Sequence, residues 1–153
     1  MHAHEAKVSW TRGASEKFTD NRYSRAHEWS FDGGVSVRAS SSPSAVPVPM
    51  SDESAVDPEE AYVASISSCH MLTFLYLACR KKLVITRYED EAVGTMTKAE
   101  NGIPWVSRVT LNPRIVYEGR HPTSEEEQAL HHEAHRQCFI ANSVRTVIDV
   151  AGS

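Results

Sequence analysis

The order of segments along the chain predicts an α+β fold: strands, a long helix, further strands, a second helix and a closing strand. Three observations carry that expectation. Capping boxes at Asp57/Glu60 and Thr123/Glu126 mark where two helices open. Asp32-Gly33-Gly34 and Asn101-Gly102 each sit between strand-like runs, where residues tolerant of positive φ favour a hairpin. Between Ala61 and Cys79 no Asp, Glu, Lys or Arg occurs, as expected of an inner helix.

Residues 4–10 (HEAKVSW) alternate polar and apolar and read as a strand. HEWSF at 27–31 and VSVRAS at 35–40 form the arms of the first hairpin. Residues 41–56 carry Pro43, Pro47 and Pro49 with no sustained period, a loop long enough for a lid or an interface arm. The first helix is expected over 57–82, with Asp57 as N-cap and Pro58 at the first helical position. Glu59 and Glu60 add negative charge at the positive end of its dipole. Extended runs follow across 84–119, with a hairpin between 84–98 and 103–119 and an interruption near Pro113. The second helix spans 123–141 and the final strand 143–151, all within a single domain over 1–153.

The chain has 153 residues, 41% hydrophobic and 24% charged, which suits one soluble domain. Its net charge of -4 argues against a nucleic-acid partner, which needs clustered Lys and Arg. Arg80-Lys81-Lys82 reads instead as a helix C-terminal charge set. The apolar helix is long enough to span a bilayer. Ser65, Ser67, Ser68, His70 and Thr73 interrupt it, however, and no second such segment exists, so a buried soluble helix is expected and no membrane. The start, MHAHEAKVSW, lacks a secretory pattern, which gives a cytoplasmic location and reduced thiols as the expectation.

Under that expectation the three cysteines are packing, reactive or metal-binding residues. Cys69 lies inside the first helix, too far from its start for the dipole to activate it. Ser65 and Ser68 on adjoining faces could donate to a thiolate, but a reactive Cys69 needs a cation from elsewhere. Cys79 is displaced ~15 Å along the same helix and reads as packing. Cys138 follows His131 and His135 at helical spacing, so one face could present two imidazoles and a thiolate to a metal, with Cys69 or His70 as a further ligand. The bland alternative for that face is solvated histidine. No nucleophile elbow, dinucleotide fingerprint, phosphate loop or C-x-x-C appears, and no cofactor is expected.

Asp57-Pro58-Glu59-Glu60 followed by Cys69-His70 on one apolar helix, with Cys138 in QCFIANS near the end of a later helix, resembles the OsmC/Ohr family. The order of elements is similar as well. The resemblance implies an OsmC-like fold of antiparallel sheets around a long central helix, in an intertwined homodimer. It implies a peroxidase for organic hydroperoxides, with hydrogen peroxide as a second candidate substrate, Cys69 attacking, Cys138 resolving as a disulfide, and a dithiol reductant closing the cycle. It further implies an Arg and a Glu at the first cysteine. Glu59 matches the acid, although ~15 Å of helix separates it from Cys69. Arg25 is favoured for the cation, Arg38 next, with Arg22 also a candidate. Phe139, where Pro is frequent, and the long 41–56 loop depart from the family pattern and point to a divergent branch.

Three readings are open at this level. They are a thiol peroxidase, a metal-binding or metal-sensing protein using His131, His135 and Cys138, and a module binding a hydrophobic ligand under the 41–56 loop.

Overall fold

Short alternating runs at the N-terminal end pair as their patterning demands. The computed structural model describes residues 1–152. They form two compact units, Met1–Ala61 and the residues from Tyr62 onward.

In the first unit, β1 (Lys7–Ser9), β2 (His27–Ser30) and β3 (Ser36–Ala39) make an antiparallel sheet in chain order, with Val8 opposite Trp29 and Trp29 opposite Val37. The expected hairpin is present, with Gly34 at φ 95° in its turn. The 41–56 loop contains no helix or strand, and its end returns beside β3. The Ser40 N–H donates to the Val56 carbonyl and the Val56 N–H to the Arg38 carbonyl, each at 3.0 Å. Asp57 caps the following helix as expected: the Glu60 N–H donates to Asp57 Oδ1 at 2.8 Å, and the Asp57 N–H to Glu60 Oε1 at 3.1 Å.

Helix α1 (Pro58–Arg80) begins in the first unit and continues into the second. It stops two residues before the expected Lys82, which adopts φ 61°. The Leu83 N–H reaches back to the Ala78 carbonyl and the Lys82 N–H to that of Cys79, both at 3.0 Å. This is a Schellman ending with lysine at the position glycine usually holds.

The second unit continues with β4 (Val84–Asp90), β5 (Val93–Lys98), β6 (Pro104–Leu111), β7 (Pro113–Glu118), α2 (Ser124–Gln137) and β8 (Val147–Val150). The run expected across 84–98 is broken at Glu91-Ala92, so each half pairs separately: β4 with β7, and β5 with β6, both antiparallel. Gly102, at φ 80°, forms the expected turn between β5 and β6. β8 joins the far side of β6 in parallel, giving the order β5-β6-β8. The Thr123 box is complete and opens α2, which ends at Gln137 rather than 141; a 3-10 turn, Ala141–Ser143, follows.

Ile66, His70, Phe74 and Ala78, four residues apart, form the buried row of α1. Ile66 packs with Val109 and Leu111, while Phe74 and Ala78 pack with Leu83, Tyr117, Leu130 and Ala134. Close approach of α1 to the sheet demands Gly94, since a Cβ there would lie 2.6 Å from Val63 Cγ2. By length and composition α1 would pass as a membrane span, but that row is committed to two protein cores. Its burial is one-sided, for Leu72 and Tyr76 are 61% and 55% exposed.

Candidate active site

Helical spacing places His131, Ala134 and Cys138 on one face of α2, since three or four residues make one turn. All three are buried, at 4%, 0% and 1% exposure. Cys138 is the C-cap of α2, in extended conformation at φ -64° and ψ 122°. Its N–H still donates to the Ala134 carbonyl at 2.9 Å, and its own carbonyl accepts the Asn142 N–H and side-chain amide at 3.1 and 2.8 Å. The sulfur is therefore held by a fully bonded backbone. It accepts the Ala141 N–H at 3.4 Å, and the Cys69 thiol lies near enough to perturb it.

Cys69 meets it from the middle of α1, where it is half-buried rather than enclosed. Burial, and after it the neighbouring Cys69, push the Cys138 thiol up to about 11. Cys138 thus keeps its proton at neutral pH. All three cysteines are free thiols. Cys79 does not pack as expected; it is exposed, because it lies off the buried row of α1. Ser65, weighed as a donor to Cys69, instead donates to the Tyr62 carbonyl at 2.8 Å.

Beside the sulfurs lies a feature that sequence reasoning did not single out as a pair. His70 Nε2 and His131 Nδ1 are 2.9 Å apart, and the rings stack at an interplanar angle of 10°. Phe74 covers His131, with ring centroids 4.3 Å apart. Burial lowers both imidazoles to about 4, against an opposing pull from Asp90; His131 and His135 lower His70 further. Asp90 itself accepts the Ser67 hydroxyl and, at 2.6 Å, the Asn112 N–H. The signal for His70 was available, since it lies in register with Ile66, Phe74 and Ala78. For His131 the signal was its phase with Leu130, Ala134 and Cys138.

The metal reading of this face is corrected by the same geometry. Among the described residues no three of His, Cys, Asp and Glu converge to hold a metal ion. His131 turns inward to His70, Cys138 faces Cys69, and His135 is exposed.

The candidate Arg and Glu belong to the first unit. The Arg25 guanidinium lies over the Tyr23 ring, 3.6 Å from its centroid, and donates to the Tyr23 carbonyl and Asn21 Oδ1, each at 2.6 Å. Arg38 is paired with Asp52 and also donates to Ser54 Oγ at 3.2 Å. Arg22 is exposed and Glu59, in the first turn of α1, is half-buried.

A family model described as OsmC-like protein matches residues 51–151. Among solved structures, an OsmC-like protein of unknown function from Vibrio cholerae is similar at 50% identity and TM-score 0.95, covering 98% of each chain. An organic hydroperoxide resistance protein from Elizabethkingia anophelis shares the fold at 20% identity and TM-score 0.71, covering 98% of this chain and 93% of that one. A further organic hydroperoxide resistance protein, from Legionella pneumophila, does so at 17% identity and TM-score 0.69, covering 98% and 94%. No curated protein matches. With the matched model spanning the first helix, both sulfurs and the final strand, the chain belongs to the OsmC-like family.

Proposed function

We propose that this protein is a thiol peroxidase that reduces organic hydroperoxides. The observation that carries the reading is the proximity of the Cys69 and Cys138 thiols, close enough for one to raise the other's pKa and brought together by two helices far apart in sequence. In this reading the Cys69 thiolate attacks the distal peroxide oxygen, releases an alcohol and becomes a sulfenic acid. Cys138 then attacks the Cys69 sulfur, expelling water and forming a disulfide that an external dithiol reduces. Arg25 is our choice for the cation that holds Cys69 as thiolate, with Glu59 as its acidic partner. Relatives named for organic hydroperoxide resistance support the substrate class.

The working unit in this proposal is a homodimer of one OsmC-like domain per chain. The outward Leu72 and Tyr76 on α1 are the feature that favours a second copy. A reducing, cytoplasmic setting fits three free thiols.

Peptide mapping after one equivalent of an alkyl hydroperoxide tests the reading. A Cys69–Cys138 disulfide is expected, with turnover abolished in Cys69→Ser and retained in Cys79→Ser. Unoxidised Cys69 and no such link would overturn it.

A further inference from the structure

The buried histidine pair lies between the same two helices that carry the sulfurs. His70 follows Cys69 on α1, and His131 precedes Cys138 by two turns of α2, ~10 Å along that helix. Their exposures are 1% and 4%, and the hydrogen bond between them is 2.9 Å long. Across the same helix pair Phe74 covers His131, and Phe74 and Ala78 share an apolar cluster with Leu130 and Ala134. Apolar contacts are non-directional and tolerate sliding by a fraction of a turn, whereas a hydrogen bond between two rigid rings fixes both distance and angle.

Resting on the peroxidase reading, we propose that His70 and His131 are positioning residues for the resolving step. Their hydrogen bond holds α2 in the register that brings the Cys138 sulfur to Cys69. The step it serves balances simply: Cys69–SOH and Cys138–SH give the Cys69–Cys138 disulfide and one water. When register is lost, the sulfenic acid persists and a second hydroperoxide converts it to sulfinic acid, releasing another alcohol. The pair does not touch the peroxide, so the first oxidation is independent of it.

Matched amides test this. In His131→Asn an amide atom occupies the Nδ1 position, while in His131→Gln the amide is carried one carbon further and misses it. Rapid-mixing measurements with cumene hydroperoxide, quenched with a sulfenic-acid probe and read by mass spectrometry, separate the two steps. The expected result is an unchanged first step in both variants. Disulfide formation slows about tenfold in His131→Gln and stays within about twofold of wild type in His131→Asn. Sulfinic acid at Cys69 accumulates in the Gln variant alone. If His131→Gln does not fold by circular dichroism, His131→Leu takes its place with the same expectation. Equal resolving rates in wild type and the folded bond-breaking variant overturn the inference. Failure of wild-type Cys69 to oxidise at all overturns the peroxidase reading instead.

Discussion

A thiol held near 11 reacts through the small thiolate fraction it reaches, and Cys138 is such a thiol. Because the folded value is raised, the protonated form dominates across the physiological range. Its thiolate grows about tenfold per pH unit below that value. Burial, the largest cause of the raised value, persists once Cys69 is oxidised, so disulfide formation is expected to accelerate as pH rises above 7, which stopped-flow tryptophan fluorescence can follow; a rate flat from pH 7 to 9 would contradict it. The proximity of the two sulfurs was not legible in the residues, since it depends on how two helices dock. Spacing revealed only that each cysteine could occupy a buried face. Cys79 shows the reverse case, where composition suggested packing and the phase of the helix turned it outward.

At the scale of elements, the helix starts were readable because a capping box is local chemistry: Asp57 with Glu60, and Thr123 with Glu126, need no distant partner. The end of α1 was displaced because no glycine marks it, and Lys82 takes the left-handed conformation instead. Lys82→Gly is expected to stabilise the protein by about 1 kcal/mol, seen as a higher urea midpoint with an unchanged slope. Gly94 has the opposite sensitivity. Gly94→Ala forces a methyl against Val63 and is expected to destabilise by about 1–3 kcal/mol, with partial recovery in the Gly94→Ala/Val63→Ala double variant. The break at Glu91-Ala92 escaped the sequence pattern because either half alone alternates like a strand. The choice of partner, β7 for one half and β6 for the other, is tertiary.

For the whole molecule, acid is the expected weakness. His70 and His131 are lowered to about 4 by burial, whereas in the unfolded chain they titrate near 6.5. Between those values the unfolded state binds more protons, so stability falls as pH drops from about 6.5 toward 4. A loss on the order of a few kcal/mol is expected over that window, measured as denaturant midpoints at stepped pH. His131→Asn should flatten the profile. Constant midpoints from pH 7 to 4 would count against buried neutral imidazoles. The overall class, α+β with two helices, was readable from element order. The parallel docking of β8 was not, because no residue within Val147–Val150 specifies which edge it joins.

That parallel strand also sets a sequence of events. Antiparallel β5 and β6 meet through a tight turn, but β8 reaches β6 only after β7 and α2 have been laid down between them. Such non-local pairings form slowly, since the chain closes a long loop before any contact rewards it. Cys138 lies within that loop, so its final position is expected late in folding, after the α1 segment bearing Cys69 has become helical. During synthesis Cys69 is thus expected to emerge before its partner arrives, and on the peroxidase reading a newborn chain oxidised at Cys69 has no second sulfur in place to trap the sulfenic acid as a disulfide.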